Sequence, residues 1–326
     1  MSRPYSPRSL RTVLNWRHYL RGENAVGIEP LLTCWRNNLH SDKVYYYDFA
    51  RFRPDLYYHD GHAWPQSQQG ATYTGRCDDK VAFYLQLKAI SAPTPEVVAE
   101  NADGRLIFYA EPHDYEALLA ARGELVIKPR GGKAGGGVRI VRPGDADSAL
   151  APGEFASTKV VQHAYSAAIN PASVNTVRVL TAWDYDAGDF FVAGCSHRFG
   201  TTQSDRVDNW SAGGVSAGID IETGRLGPAM RAPQYDPRRT WLTHHPDTGA
   251  AIEGVEVARF HEMCRALLAV CRGFPVSLVG WDVVITPDAW TILEGNRRPA
   301  FIGLQMFRPL LSDPRMRTFL AREGML

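Results

Sequence analysis

Residues 280–296 run Gly280-Trp281-Asp282-Val283-Val284-Ile285-Thr286-Pro287-Asp288-Ala289-Trp290-Thr291-Ile292-Leu293-Glu294-Gly295-Asn296. Two apolar runs flank Pro287-Asp288-Ala289, which can serve as a three-residue hairpin loop. With that loop Thr286 faces Trp290, and Asp282 falls opposite Glu294. Side chains alternate along a strand, so Asn296 shares the face of Glu294. Two carboxylates and an amide oxygen therefore converge on strands that are otherwise apolar. Buried like charges repel, and burial penalises each, unless a cation lies between them. Hard oxygen donors that leave positions open suit Mg²⁺ shared with phosphates. The same residues also fit an edge hairpin whose acids face water.

Upstream, residues 126–138 read VIKPRGGKAGGGV. So many glycines in a short loop let the backbone approach a ligand closely and turn several N–H groups toward one anion. Lys128, at the end of a strand, sets a point charge beside that loop. Lysine occurs only at 43, 80, 88, 128, 133 and 159, the other basic residues being arginine, so a lysine in this setting is not background. The loop is neither a GxxxxGK[ST] string nor a GxGxxG string opening a helix. A strand follows it, and the residues alone fit a flexible hairpin without ligand equally well.

Around these two signals the chain reads as mixed strands and helices. Asp78-Asp79-Lys80 opens a helix-like run ended by Pro93 and Pro95. Strands are expected at 96–99, 106–109, 125–128, 138–141, 159–162, 177–183, 190–195, 279–285 and 290–293, and helices at 112–121 and 255–271. Such a pattern with hairpins predicts an α+β protein. Residues 41–75 read as an irregular segment with short strands. The first 22 residues carry five arginines and no acid. A transit peptide has that composition, but Leu10, Val13, Leu14 and residues 16–20 also fit a short amphipathic helix docked on the body.

The chain has 326 residues, 44% hydrophobic and 22% charged, with a net charge of +1. That length suggests about two domains and the balance excludes a wholly disordered chain. Near-neutrality gives no footprint for nucleic acid or an anionic membrane. No apolar run is long enough to span a bilayer. Five scattered cysteines without CxxC spacing argue against a disulfide framework or zinc ribbon and for a reduced, cytoplasmic setting.

Taken together, the two signals resemble the ATP-grasp superfamily. VIKPRGGKAGGGV is similar to its glycine-rich phosphate loop, GWDVVI…ILEGN to its metal-binding hairpin, and DDK with the later APTP to the segment bearing its first nucleotide lysine. Order and spacing match over about residues 78–300. The strings VNTVRVLT (174–181), DNWSAGGV (208–215), HHPDTG (244–249) and LEGNRRPAFIGLQ (293–305) resemble one branch, the sugar-transfer associated ATP-grasp proteins, related to α-L-glutamate ligases.

The resemblance implies an α+β ATP-grasp fold in which two lobes grip ATP. Residues 1–75 would form an N-terminal helical and irregular segment, 76–165 the small lobe with the glycine loop, and 166–326 the large lobe with the metal hairpin. It implies that Lys80 and Lys128 hold the nucleotide phosphates and that Gly131, Gly132, Gly135, Gly136 and Gly137 close over them. Val160, Gln162 and His163 match the hinge that meets the adenine, and Asn175 the strand facing the triphosphate. The stretch from Val161 to Val174 holds no acid for the ribose, a departure from the family pattern. Asp282, Glu294 and Asn296 match the metal ligands, for Mg²⁺ or alternatively Mn²⁺. Arg178, Arg198 and Arg297 are the implied catalytic cations. Asp208, Asn209, Gly213, Gly214, Arg298 and Gln305 are the implied substrate-side residues. A buried structural arginine, or a loop ordered by its own Asx turns, is the plainer reading of several of these.

The activity implied is an ATP-dependent carboxylate–amine ligase. An acid is activated as an acyl phosphate and attacked by an amine, giving ADP, phosphate and an amide. Its partners would be small-molecule carboxylates and amines, with no nucleic acid and no membrane span; a homodimer is allowed. The alternatives are a small-molecule kinase with a hydroxyl acceptor and a nucleotide-binding module without chemistry.

Overall fold

The computed structural model describes residues 13, 16, 19–21, 25–59, 77–132, 136–205, 207–232, 234–236, 240–274 and 276–326. Helix α1 (Ile28–Arg36), 3-10 turns at Ser41–Tyr45 and Pro54–Leu56, and helix α2 (Lys80–Ala89) precede the first sheet. That sheet is built from β1 (Val97–Ala102), β2 (Arg105–Phe108), β3 (Leu125–Pro129), β4 (Arg139–Val141) and β5 (Glu154–Ser157), with helix α3 (Tyr115–Arg122) between β2 and β3. Its order is β2-β1-β5-β3-β4, and every pairing is antiparallel. Leu118 and Leu119 of α3 pack on Val98, Ile127 and Val141.

The second part begins with α4 (Ala164–Ile169). Four strands follow: β6 (Val177–Asp184), β7 (Asp189–Phe199), β8 (Val215–Ile219) and β9 (Leu226–Arg231). After them come α5 (Phe260–Gly273), β10 (Leu278–Ile285), β11 (Trp290–Asn296), α6 (Ile302–Gln305) and α7 (Pro314–Arg322). The six strands pair antiparallel in the order β11-β10-β6-β7-β8-β9. One face packs on α5 through Phe260, Met263, Leu267 and Cys271, spaced three or four apart as an amphipathic helix requires. Trp281 is fully buried there, and its Nε1 donates to Thr181 Oγ1 at 2.8 Å. The opposite face carries Leu180, Ala182 and Leu278 against Leu304, Met316 and Phe319. Two antiparallel sheets backed by helices form the α+β fold that the sequence predicts.

Helix α2 belongs to both cores, and that fixes its first residue, Lys80. Asp79 caps it, accepting from the N–H groups of Val81 and Ala82. Val81 and Tyr84 meet Val97 and Phe155 of the small sheet, while Phe83 and Leu87 enter the large core. Phe83 lies so close to β11 that a Cβ on Gly295 would sit 2.7 Å from its ring. Glycine at 295 lets the helix approach the strand that carries Glu294 and Asn296.

Several expectations need correction. The hairpin turns one residue earlier than its loop suggests, with Ile285 opposite Trp290. A bulge between Asp282 and Val283 then shifts the register back, so that Asp282 does face Glu294. The strand expected at 159–162 does not form; the chain leaves the sheet after Ser157, and Val161 is exposed. The helix expected from 255 starts at Phe260, because Val255 and Val257 are tied by backbone bonds to Leu226 and Gly224. Strands β5, β8 and β9, and helices α1, α4, α6 and α7, were not expected. Among the described part of 41–75 there are 3-10 turns and no strand. The helix suggested near residues 10–20 lies largely outside the described residues. All five cysteines are free and buried.

Candidate active site

Asp282 is 7% exposed and is held by two guanidinium groups. Arg178, its neighbour across β6, donates from Nε to Oδ1 at 2.5 Å and from Nη2 to Oδ2 at 3.1 Å. Arg198 of β7 sets Nη2 2.8 Å from Oδ1. Burial alone would raise the Asp282 carboxyl, but Arg178 and then Arg198 outweigh it and hold it below the usual carboxylate range. Arg198 also donates to Thr176 Oγ1, from Nε at 3.1 Å and Nη2 at 2.5 Å. Asp208 completes the chain, its Oδ2 accepting from the N–H and the hydroxyl of Thr176.

Glu294 is placed differently. No hydrogen bond reaches its carboxylate from the described residues. Burial, then the charge of Asp282, raise it above the usual range, and Lys80, Arg178 and Arg198 only partly offset them. Asn296 donates its amide to Gly280 O at 3.2 Å and Asp282 Oδ2 at 3.3 Å. That leaves its own oxygen as an acceptor. Asp282 has most of its lone pairs engaged by arginine, so Glu294 is the carboxylate with capacity to spare. Among the described residues no three His, Cys, Asp or Glu side chains gather to hold a metal alone. Two hard carboxylates and an amide oxygen nevertheless suit a cation that takes its remaining oxygens from elsewhere.

The two lysines approach from the small sheet. Lys80 Nζ donates to Gly132 O at 2.8 Å, and its backbone N–H to Arg130 O at 3.1 Å, tying α2 to the start of the glycine loop. Burial pulls Lys128 below the ordinary lysine range, opposed by Glu294 and reinforced by Lys80. So Lys80, Lys128 and Glu294 lie within electrostatic reach of one another. Arg130 acts as the strut beneath them, bridging Asp79 and Glu100 at 2.5 Å each. Tyr109 hydroxyl donates to Glu100. Arg130 and Thr176 each lie inside a string quoted from the sequence, but nothing in those strings marked either as a strut of the site.

Other expected residues are placed as follows. Gly131, Gly132, Gly136 and Gly137 are described, and Gly135 is not. Val160 lies on the extended stretch after β5. Gln162 bonds to Asn170 O, Ser173 O, Ser166 and Asn175. Asn175 is buried and takes Ser173 Oγ at 2.7 Å. Their amides brace the 162–175 segment. His163 caps α4, while its N–H donates to Ile285 O. Asn209 caps the Trp210–Ala212 turn; Gly213 and Gly214 close that loop, where Thr201 hydroxyl donates to Gly213 O. Arg297 pairs with Asp78 at 2.7 Å, and Arg298 is exposed. Gln305, expected on the substrate side, is buried and fastens the N-terminal segment: it accepts from Tyr58 N–H and donates to the Tyr47 hydroxyl.

His197 lies just behind Arg198 on β7. Its ring bonds to Tyr165 hydroxyl and Thr176 O and stacks on Phe199 at 4.3 Å. Burial lowers it to about 3. The unfolded chain takes up this proton near pH 6.5 and the native chain does not, so stability present above pH 6.5 is lost as pH falls toward 3. The expected loss is about 1.4 kcal/mol per pH unit, or about 2 kcal/mol between about pH 7 and about pH 5. Urea unfolding at the two pH values measures it, and His197→Gln should remove that part of the slope.

Residues 154–312 match the family model described as sugar-transfer associated ATP-grasp. That segment, just under half of the chain, is similar to the sugar-transfer associated ATP-grasp proteins. Thr176, Arg178, Arg198, Asp208, Asp282, Glu294 and Asn296 all fall inside the matched segment, whereas Lys80, Lys128 and the glycine loop precede it. Solved structures similar to the chain include N5-carboxyaminoimidazole ribonucleotide synthetase from Thermotoga maritima, at 14% identity and a TM-score of 0.43. D-alanine–D-alanine ligase from Bacillus anthracis gives 16% and 0.43, and L-amino acid ligase from Bacillus licheniformis 11% and 0.44. The matches cover 74%, 78% and 76% of this chain but 50%, 71% and 48% of those chains. At such scores and identities the likeness says nothing about substrate. No curated protein matches the chain. Among the described residues no helix is long and apolar enough to cross a membrane.

Proposed function

We propose that this ATP-grasp protein is an ATP-dependent carboxylate–amine ligase that activates its acid as an acyl phosphate. Residues 76–165 and 166–326 are then the two lobes that grip the nucleotide, and 1–75 the segment that closes the substrate side. The observation that supports the reading best is the single cluster of Lys80, Lys128, Arg178 and Arg198 around an engaged Asp282 and a Glu294 with lone pairs to spare.

Phosphoryl transfer to a carboxylate brings anions together, so the work of the protein is positioning and charge compensation. Lys80 and Lys128 hold the phosphates, and the glycine loop, tethered through Lys80 to Gly132 O, covers them and excludes water. Asp282, Glu294 and Asn296 would hold Mg²⁺, which would neutralise charge on the phosphate oxygens. Arg178 and Arg198, fixed by Asp282 and Thr176, face the side where the acid and the transferred group meet. A guanidinium in that place also stabilises the oxyanion formed when the amine adds.

Incubation with ATP, Mg²⁺ and pooled carboxylates, with hydroxylamine as trap, tests this reading. ADP, phosphate and a hydroxamate are expected. ADP with a phosphate ester would make it a kinase, and AMP with pyrophosphate would contradict the acyl phosphate. Lys128→Ala should weaken ADP binding by about 10- to 100-fold, the loss of one charge-assisted contact of about 1.5–3 kcal/mol. Calorimetry measures this, and an unaltered affinity would remove Lys128 from the phosphate site.

A further inference from the structure

Arg178, Arg198 and Asp282 occupy one face of the large sheet, and that face continues away from them. Cross-strand pairing puts Ser196 opposite Arg178 and Gly218, Ser216 opposite Arg198, and Gly194 opposite Leu180. Gly194 is four residues from Arg198, about 13 Å along the strand. Beyond the serines the face opens into a groove of about 740 Å³, floored by Gly194, Gly218 and Pro228 and walled by Trp241, Phe307 and Phe52 of the N-terminal segment. Phe307 stands directly on Gly218, where a Cβ would fall 2.6 Å from its ring. This volume suits a ligand of small-molecule size.

The groove has charges of both signs on its rim. Asp313 and Arg315 pair at 2.7 Å and cancel. Arg308 sits within electrostatic reach of Asp220 and Asp313. Neither Arg308 nor Glu222 has an ion-pair partner among the described residues, and both line the groove. Ser196 and Ser216, each 2% exposed, lie between the groove and Arg198. Their hydroxyls have no hydrogen-bond partner among the described residues. Neither hydroxyl is among the fully enclosed polar atoms without a partner, so each is open to a ligand group running along this face. Four acids and three arginines line the groove, which argues against a polyphosphate, and walls of aromatic side chains with opposite charges at the rim fit a zwitterion.

The geometry points to this groove as the binding site for the amine substrate, a zwitterion of the amino-acid or short-peptide class. Arg308 takes the carboxylate end and Glu222 a side-chain cation, the chain runs beside Phe307 and Leu304, and the free amine is directed past Ser196 toward Arg198. This assignment rests on the ligase reading for the word substrate, while the binding itself does not.

Saturation-transfer NMR on the full chain, without nucleotide, tests it with a pool of dipeptides, the same dipeptides amidated at the C-terminus, and a pool of disaccharides. Transfer to the free dipeptides is expected. Arg308→Gln and amidation should each weaken it about tenfold, and the two losses should not add. Glu222→Gln should weaken the free and amidated dipeptides alike. Trp241→Ala, which strips the wall without touching charge, should weaken all dipeptides and leave the Arg308 preference. Transfer to disaccharides only, transfer unaffected by the variants, or no transfer would each overturn the assignment. If the hydroxamate assay fails while this pattern holds, the ligase reading falls and the groove stands.

Discussion

Glu294→Gln should abolish nearly all Mg²⁺-dependent turnover while leaving a protein at least as stable as the parent. The loss expected is about 100- to 1000-fold, the size of removing one preorganised electrostatic contact from a phosphoryl-transfer site. Stability should not fall, because no hydrogen bond from the described residues reaches the carboxylate. Instead the substitution removes a buried negative charge that Asp282 repels, which is why the group titrates above its ordinary range. Thermal unfolding alongside the hydroxamate assay reads both halves. Unchanged turnover would remove Glu294 from the metal set, and a large drop in Tm would mean that its role is structural.

Asp282→Asn should behave in the opposite way toward stability. Arg178 and Arg198 would each lose the partner that compensates their burial, and breaking such a cluster costs about 3–5 kcal/mol. In a chain of this size that is a fall in Tm of roughly 10 °C, with turnover lost as well. Adding Arg178→Met to Asp282→Asn should recover part of the stability and none of the turnover, since one stranded cation is then gone. A single variant as stable as the parent would show that the two guanidinium groups find other partners. The pair of neighbouring carboxylates thus divides the labour: one orders the arginines, the other is left with lone pairs to spare.

Much of the site was legible because it depends on local spacing. Asp282 and Glu294 could be paired from the hairpin alone, although two errors cancelled: the loop is one residue longer than expected, and a bulge, which has no sequence signature here, restored the register. Asp79 was legible as a helix start, because a cap is a one-residue signal. The uses of Gln162, Asn175 and Gln305 were not legible. An amide that braces a loop and an amide that meets a ligand look alike in sequence, and Gln305 meets Tyr58 across 247 positions of chain. The unexpected strands β8 and β9 are short and contain two glycines and a proline, which weaken any alternation. The groove they floor was invisible for the same reason.

The most direct test of the central claim uses the acid identified by hydroxamate trapping, labelled with ¹⁸O in its carboxylate. After one turnover with ATP, Mg²⁺ and the amine, an acyl phosphate requires one labelled oxygen to leave with inorganic phosphate, because the C–O bond breaks when the amine displaces phosphate. The account predicts ¹⁸O in the phosphate and none in ADP. Label in AMP, or unlabelled phosphate beside a labelled amide, would contradict it.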